Sequence, residues 1–405
     1  MFHEVRPLRV MRVVARMNVG GPALQSVALM RGLPPDRFQQ RLYAGFVEPG
    51  EADYVDLRAP GMAIHRVPAL GRRIRPADDL RALAALTAEM RRFRPHIVHT
   101  HTAKAGTLGR VAAIAARVPG RVHTFHGHLL KGYFPSRTVR LISAAESILA
   151  RHTDRLIAVG DRVRHDLLAA GIGDAGQYTV VPPGTRLGPL PDSRAARQEL
   201  GLPAGGAVVA YVGRLTRIKR PDRLIAVARE VIAAMPDVVF AICGDGELAT
   251  DLFSAASDLG HSVRFLGWRA DVETVYAAAD LVLLTSDNEG MPVSLIEAGM
   301  AGVPAVATNV GSVAEVIKDG STGLLTRCDA SDLARSVIRL LRDDKLRRQL
   351  GDAASSWSSG QFGPERLVAD VGRVYEAIAV DRGWWPAHAT TENLRHTPHS
   401  HEVAR

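Results

Sequence analysis

Ala207-Val208-Val209-Ala210-Tyr211-Val212-Gly213-Arg214-Leu215-Thr216-Arg217-Ile218-Lys219-Arg220-Pro221 is the stretch whose reading decides the fold. Its first six residues carry no charge and are rich in valine, which reads as a strand buried on both faces of a parallel sheet. Gly213 stops the strand. Pro221 marks the first turn of a helix, a position where the absent N–H costs nothing. Strand, loop and helix in that order set the loop at the carboxyl edge of a parallel sheet, where α/β folds bind their ligands. Arg214 and Lys219 sit on this loop, and two cations there suit a pyrophosphate. Two solvated surface cations would leave the same sequence.

The same alternation extends both ways from this loop. Further strands are expected downstream at residues 238–243, 263–266, 281–285, 305–307 and 324–326. Upstream they are expected at 8–15, 41–46, 64–67, 97–100, 122–125, 156–159 and 179–181, with amphipathic helical patterns between most of them. Prolines and glycines crowd the region from Pro182 to Gly206, which reads as the connection between two domains. The expectation is an α/β chain of two doubly wound, Rossmann-like domains, at 8–186 and 207–363, joined by a linker at 187–206. A helix at 364–380 is expected to pack back toward the first domain, and the tail at 381–405 to be poorly ordered.

Composition agrees with this division and narrows the function. A chain of 405 residues is too long for one ordinary core. With 46% hydrophobic and 23% charged residues it is neither disordered nor fibrous. No apolar run reaches the roughly 18 residues of a membrane span, and residues 1–9 lack the apolar core of a signal peptide, so a cytoplasmic protein is expected. Two cysteines, Cys243 and Cys328, rule out a disulfide framework. The net charge of +9, carried mainly by arginine, favours phosphate-bearing partners or a basic solvated surface.

A second motif runs Glu289-Gly290-Met291-Pro292-Val293-Ser294-Leu295-Ile296-Glu297. Gly290 and Pro292 turn the chain into a helix whose opening amides can hold anionic oxygens, and a carboxylate stands at each end of the turn. Gly213-Arg214-Leu215 with Lys219, followed by Glu-x7-Glu between a strand and a helix, resembles the retaining glycosyltransferases of family four, over residues 8–379. That resemblance implies the GT-B fold, two domains facing a central cleft. It also implies transfer of a sugar from a nucleotide diphosphate to a glycan or lipid-linked acceptor, as in bacterial surface-polysaccharide assembly. By matching positions it gives the diphosphate to Arg214, Lys219 and the Gly213 turn, the transferred sugar to Glu289, Gly290 and Met291, and the ribose to Glu297. Pro292 and Val293 complete the donor side.

The first domain adds three matches to this family. Gly20-Gly21-Pro22 lies between the first strand and its helix, where the family has a glycine loop beside the donor phosphates; by itself it is an ordinary turn. Val122-His123-Thr124-Phe125-His126-Gly127-His128 resembles the signature of a histidine facing the donor sugar, and His126 is the choice among the three. Ordinary loop residues are the alternative, and a metal cluster is disfavoured because no carboxylate or cysteine completes a ligand pattern. His99-Thr100-His101-Thr102-Ala103-Lys104 resembles the polysaccharide-assembly branch, which implies an acceptor side at His101 and Lys104. Two segments depart from the family: Gly160-Asp161 stands where many members have serine, and Pro183-Gly184-Thr185-Arg186 where many have Asn-Gly-Val-Asp.

No Asp-x-Asp occurs, so Arg214, Lys219 and the helix start near Val293 are expected to stabilise the leaving diphosphate without a metal, and no cofactor is implied. The resemblance implies front-face transfer with retention, in which Glu289 binds rather than attacks. UDP-sugar is preferred to GDP-mannose as donor. The competing readings are a nucleotide-sugar 2-epimerase and a non-catalytic nucleotide-sugar binder. A dinucleotide site at Cys243-Gly244-Asp245-Gly246 is disfavoured, since Ala249 replaces the third glycine. Arg72, Arg73 and Arg75, with Arg91, Arg92 and Arg94, form a candidate contact for anionic membrane or an ordinary basic surface; nucleic acid is not expected.

Overall fold

The computed structural model describes residues 6–48, 51–71, 73–127 and 136–386. The first half builds β1 (Leu8–Arg16), β2 (Phe38–Gly45), β3 (His65–Arg66), β4 (Ile97–His101), β5 (Gly120–Phe125), β6 (Arg155–Ala158) and β7 (Tyr178–Val180). They form one parallel sheet in the order β3-β2-β1-β4-β5-β6-β7. The second half builds β8 (Val208–Val212), β9 (Val239–Cys243), β10 (Val263–Gly267), β11 (Leu281–Leu284), β12 (Ala305–Thr308) and β13 (Gly323–Thr326), ordered β10-β9-β8-β11-β12-β13, again parallel. The strands are apolar because helices cover both faces; β9 and β11 are buried at every residue.

In each sheet the strand order reverses beside the first strand, between β1 and β4 and between β8 and β11. Connections from such neighbours leave in opposite directions and open a crevice at the carboxyl ends. Gly20 follows β1, His101 ends β4, Gly213 follows β8 and Glu289 follows β11, so the topology draws these motifs to two switch points.

The helix Pro364–Asp381 belongs to the first sheet by packing. Leu367, Val371, Tyr375 and Ile378 are buried with Leu8, Val10, Phe38, Ile97 and Val122 in one cluster. Burial of each such side chain stabilises by about 1.5–3 kcal/mol. Gly32 makes room, since a Cβ there would lie 2.4 Å from Cγ2 of Val368.

Three local features differ from the expectation. β2 begins at Phe38 although Gln39 and Gln40 are polar, because pairing with β1 continues there and Gln40 accepts a hydrogen bond from the buried Arg12. A five-residue helix, Tyr54–Arg58, is too short to leave a period and is nucleated by Asp53, whose carboxylate accepts from the Val55 amide at 2.9 Å. The stretch expected to lose order from residue 381 instead opens with Trp385 docked under Arg37 and beside Phe38, its indole N–H donating to the Arg6 carbonyl. Residues 387–405 of that expected tail lie outside the described residues.

Candidate active site

The loop after β8 is held by its neighbours rather than by its own residues. The Gly213 and Leu215 amides donate to the Cys243 and Asp245 carbonyls at 3.0 and 2.9 Å. Gly244, at φ 150°, passes so close that a Cβ would lie 1.9 Å from the Gly213 carbonyl oxygen. The glycines of Cys243-Gly244-Asp245-Gly246 thus serve backbone crossing. Arg214 is left exposed, and a 3-10 turn, Arg217–Lys219, aims Lys219 inward. Lys219 Nζ lies 2.5 Å from Glu289 Oε1, and that same oxygen accepts from Ser286 Oγ at 2.5 Å. Tyr211 closes the floor: burial raises its pKa, the Glu289 charge adds to the rise, and Arg214 opposes it. The two charges therefore act at one point.

Glu289 leads into the helix Val293–Met300 through Gly290, Met291 and Pro292. Met291 and Pro292 are buried, so only the backbone of Met291 is available to a ligand, and Pro292 brings no N–H. Glu297 stands one turn in, half-buried, with the Tyr276 hydroxyl 3.2 Å from its Oε2. Burial pushes its carboxyl from the usual 4.5 up to about 7; Tyr276 opposes the rise and the nearby Glu273 adds to it.

The first-domain histidines alternate along their strands. His123 turns to one face, where Thr100 Oγ1 lies 2.8 Å from its Nδ1. His99, His101 and His126 lie on the other. His101 Nδ1 is 3.0 Å from His126 Nε2, and the His99 and His101 rings are 4.2 Å apart. Burial holds His99, His101 and His123 well below the usual 6.5 and lowers His126 to about 3. Among the described residues no group of three or more His, Cys, Asp or Glu is arranged to hold a metal ion, and His128 lies outside them.

The two domains meet across these motifs. A Cβ on Gly290 would lie 2.1 Å from the His126 carbonyl oxygen, and one on Gly21 3.6 Å from Cγ2 of Val293. His126, Gly21, Gly290, Val293, Lys219 and Glu289 are thereby brought together. Lys104 is engaged elsewhere: its Nζ lies 2.5 Å from Asp79 Oδ1 and donates to the Arg73 carbonyl. His101 is fully buried and reaches the cleft only through His126. The arginine patch is partly neutralised, with Arg73 near Glu48, Arg75 near Asp78 and Arg92 on Glu89, while Arg72 lies outside the described residues.

Sequence reasoning missed Ser286, Tyr211, Arg58 and Glu315. Ser286 sits three residues before Glu289 and two past the end of β11, a polar residue after an apolar run, and that was a usable signal. Arg58 and Glu315 leave none, because their partners are remote. Arg58 pairs with Glu273 at 3.0 Å. Glu315 accepts from the Asp161 and Arg162 amides at 2.8 and 2.9 Å, capping a first-domain helix from the second domain. Gly160 permits this approach, since a Cβ there would lie 2.3 Å from Ser312 Oγ. This is the segment where serine was expected from the family pattern.

Comparison with known proteins bears on the family and the fold. Residues 192–357 match the family model described as glycosyl transferases group 1, and residues 20–184 the glycosyl transferase 4-like domain. The UDP-Gal:alpha-D-GlcNAc-diphosphoundecaprenol alpha-1,3-galactosyltransferase of Escherichia coli is 32% identical over 290 residues, 69% of this chain and 75% of that protein. The D-inositol 3-phosphate glycosyltransferase 2 of Catenulispora acidiphila is 30% identical over 395 residues, 90% of this chain and 91% of its own length. The fold is that of Anabaena HepE, crystallised with UDP and glucose, at a TM-score of 0.77 and 22% identity over 91% of this chain and all of the other. With both halves matched and both sheets in place, the chain belongs to the GT4-type glycosyltransferases of the GT-B fold.

Proposed function

We propose that this glycosyltransferase moves a hexose from a UDP-sugar to a lipid-linked acceptor, with retention of anomeric configuration and without a metal ion. The observation that carries the reading is the Lys219–Glu289 contact at the mouth of the helix Val293–Met300, facing His126 and Gly127 across the cleft. Arg214, Lys219 and the helix start supply positive potential to a diphosphate, fixed before the reaction begins. Gly20 and Gly21 leave room beside it; Gly213 shapes the turn that carries Arg214. Glu289, Gly290 and Met291 meet the transferred sugar together with His126, and Glu297 meets the ribose. UDP is favoured because the E. coli relative is named for UDP-Gal and HepE was crystallised with UDP.

In this reading the acceptor hydroxyl attacks the anomeric carbon on the face that the diphosphate leaves. The bond from that carbon to the phosphate oxygen breaks with its electron pair on the phosphate, and the hydroxyl proton passes to that oxygen. Glu289 does not attack: its Oε1 already holds Lys219 and Ser286, which lowers its nucleophilicity. His101 acts from behind His126. Lys104 would meet an acceptor diphosphate only after releasing Asp79.

The acceptor side points to a membrane. The helices Pro76–Phe93 and Ser136–Arg151 both pack on Ala103–Ala115 and expose Leu80, Leu141 and Ile148, with Ile74 84% exposed beside them. Arg73, Arg75, Arg137 and Arg140 surround these side chains in sequence. No helix of the described residues is long and apolar enough to cross a membrane, so the contact is peripheral in this reading, at the cytoplasmic face. Co-sedimentation should rise with anionic lipid; binding indifferent to lipid charge removes the membrane from the reading.

Transfer tests the rest. The purified chain is incubated with UDP-galactose, UDP-glucose or GDP-mannose and a polyprenyl-diphosphate sugar, with and without EDTA, and the product linkage is read by NMR. An α-linked product from a UDP-sugar, unaffected by EDTA, is expected. An inverted product, a requirement for added metal, or turnover of GDP-mannose alone each overturns its own part. Epimerised donor without acceptor would establish the 2-epimerase instead.

A further inference from the structure

The His101–His126 contact is one hydrogen bond between two ring nitrogens, so a single proton occupies it and one ring must donate. The other nitrogen of His101, Nε2, is buried and has no partner among the described residues. A proton there would strand an N–H donor, the rarest kind of orphan in a protein interior, whereas a bare nitrogen strands only an acceptor. His101 therefore carries its proton on Nδ1 and donates it to Nε2 of His126. That leaves the proton of His126 on its own Nδ1. Unlike His101, which is fully buried, His126 is partly exposed, and among the described residues it makes no other side-chain hydrogen bond.

Beneath the pair, Arg12 is fully buried and its hydrogen bonds go to Gln40 and Tyr375, neither of them a carboxylate. The guanidinium polarises the Tyr375 hydroxyl, 2.6 Å from His99 Nδ1, and His99 Nε2 lies 2.7 Å from Thr124 Oγ1. His99 is thus pinned at both nitrogens, with its ring against His101. A buried cation with no carboxylate partner among the described residues makes a second proton costly on His99 and His101.

We propose that His101 is a positioning residue acting through His126: it fixes His126 as the neutral ring that presents Nδ1–H to the cleft, where an oxygen of the donor sugar accepts it. Arg12, Tyr375 and His99 hold His101 in place from below. The inference rests on the proposed function insofar as His126 meets the donor sugar.

The test begins with the tautomer, read by long-range proton–nitrogen NMR on the full chain labelled with 15N-histidine, with His126 assigned by His126→Gln. A protonated Nδ1 and bare Nε2 on His126 are expected; the reverse overturns the proposal. His101→Asn places an amide N–H where Nδ1 stood, and His101→Leu removes the donor. His101→Leu should lower kcat by about tenfold or more and release the fixed tautomer, with UDP affinity unchanged. His101→Asn should restore the tautomer and most of the lost kcat. Equal losses in the two folded variants, or an unchanged tautomer in His101→Leu, overturn the proposal. Absence of sugar transfer by the wild type would sink the proposed function alone, since the NMR result still decides the relation between the rings.

Discussion

Glu289 and Glu297 are carboxylates eight positions apart with opposite surroundings. The first has Lys219 and Ser286 on one oxygen; the second has a tyrosine and is half-buried. Glu289→Gln removes the charge that orients Lys219, and kcat should fall by about 100-fold or more, with no glycosyl-enzyme detectable by mass spectrometry in the wild type. A trapped adduct that vanishes in the variant would make Glu289 the nucleophile. Arg214→Ala should reduce kcat/KM for the donor by about 100-fold without moving Tm, since the side chain is exposed. The raised pKa of Glu297 has a definite sign. The folded chain binds this proton more tightly than the unfolded chain, so its contribution to stability is complete below pH 4.5 and lost as pH rises through about 7. Glu297→Gln should flatten that part of the Tm-versus-pH curve and raise Tm at pH 8, while weakening donor binding. A parallel pH curve in the variant would show that Glu297 does not titrate there.

Loops and their glycines set how closely the site elements approach. Gly311, at φ 52°, would put a Cβ 1.8 Å from the Glu289 carbonyl oxygen, whereas Gly320, at φ 70°, has nothing within 4 Å. Gly320→Ala should cost about 1–2 kcal/mol, the strain of a left-handed alanine; Gly311→Ala should cost clearly more and abolish transfer. Equal losses in denaturant unfolding would mean that the loop yields. Such contacts also mark where sequence reading ends. The strands were legible because a parallel sheet covered on both faces demands apolar runs, as at β8, β9 and β11. The Arg214–Lys219 and Glu289–Glu297 segments were legible because each motif lies on one local turn. Glu315 capping a helix 154 positions away, or Tyr375 reaching His99 across 276, leaves no local period to read. Gln39 and Gln40 hid the start of β2 for a related reason: their place is set by the partner strand.

Across the whole molecule, polar contacts tie the two lobes at two places named above. Arg58 meets Glu273, and Glu315 caps the helix Asp161–Ala169, where a carboxylate gains from the helix dipole. Glu315→Ala should loosen this closure: small-angle scattering of the free chain should give a larger radius of gyration, and the donor KM should rise. Identical scattering curves would assign closure to the packing around Gly290 instead. The helix Pro364–Asp381 binds the lobes in another way, through the cluster that it shares with β1, β2, β4 and β5. During synthesis the sheet β1–β7 must wait, one face bare, for a helix translated only after the whole second sheet. A ribosome stalled before residue 364 would present that greasy face to chaperones rather than a finished domain.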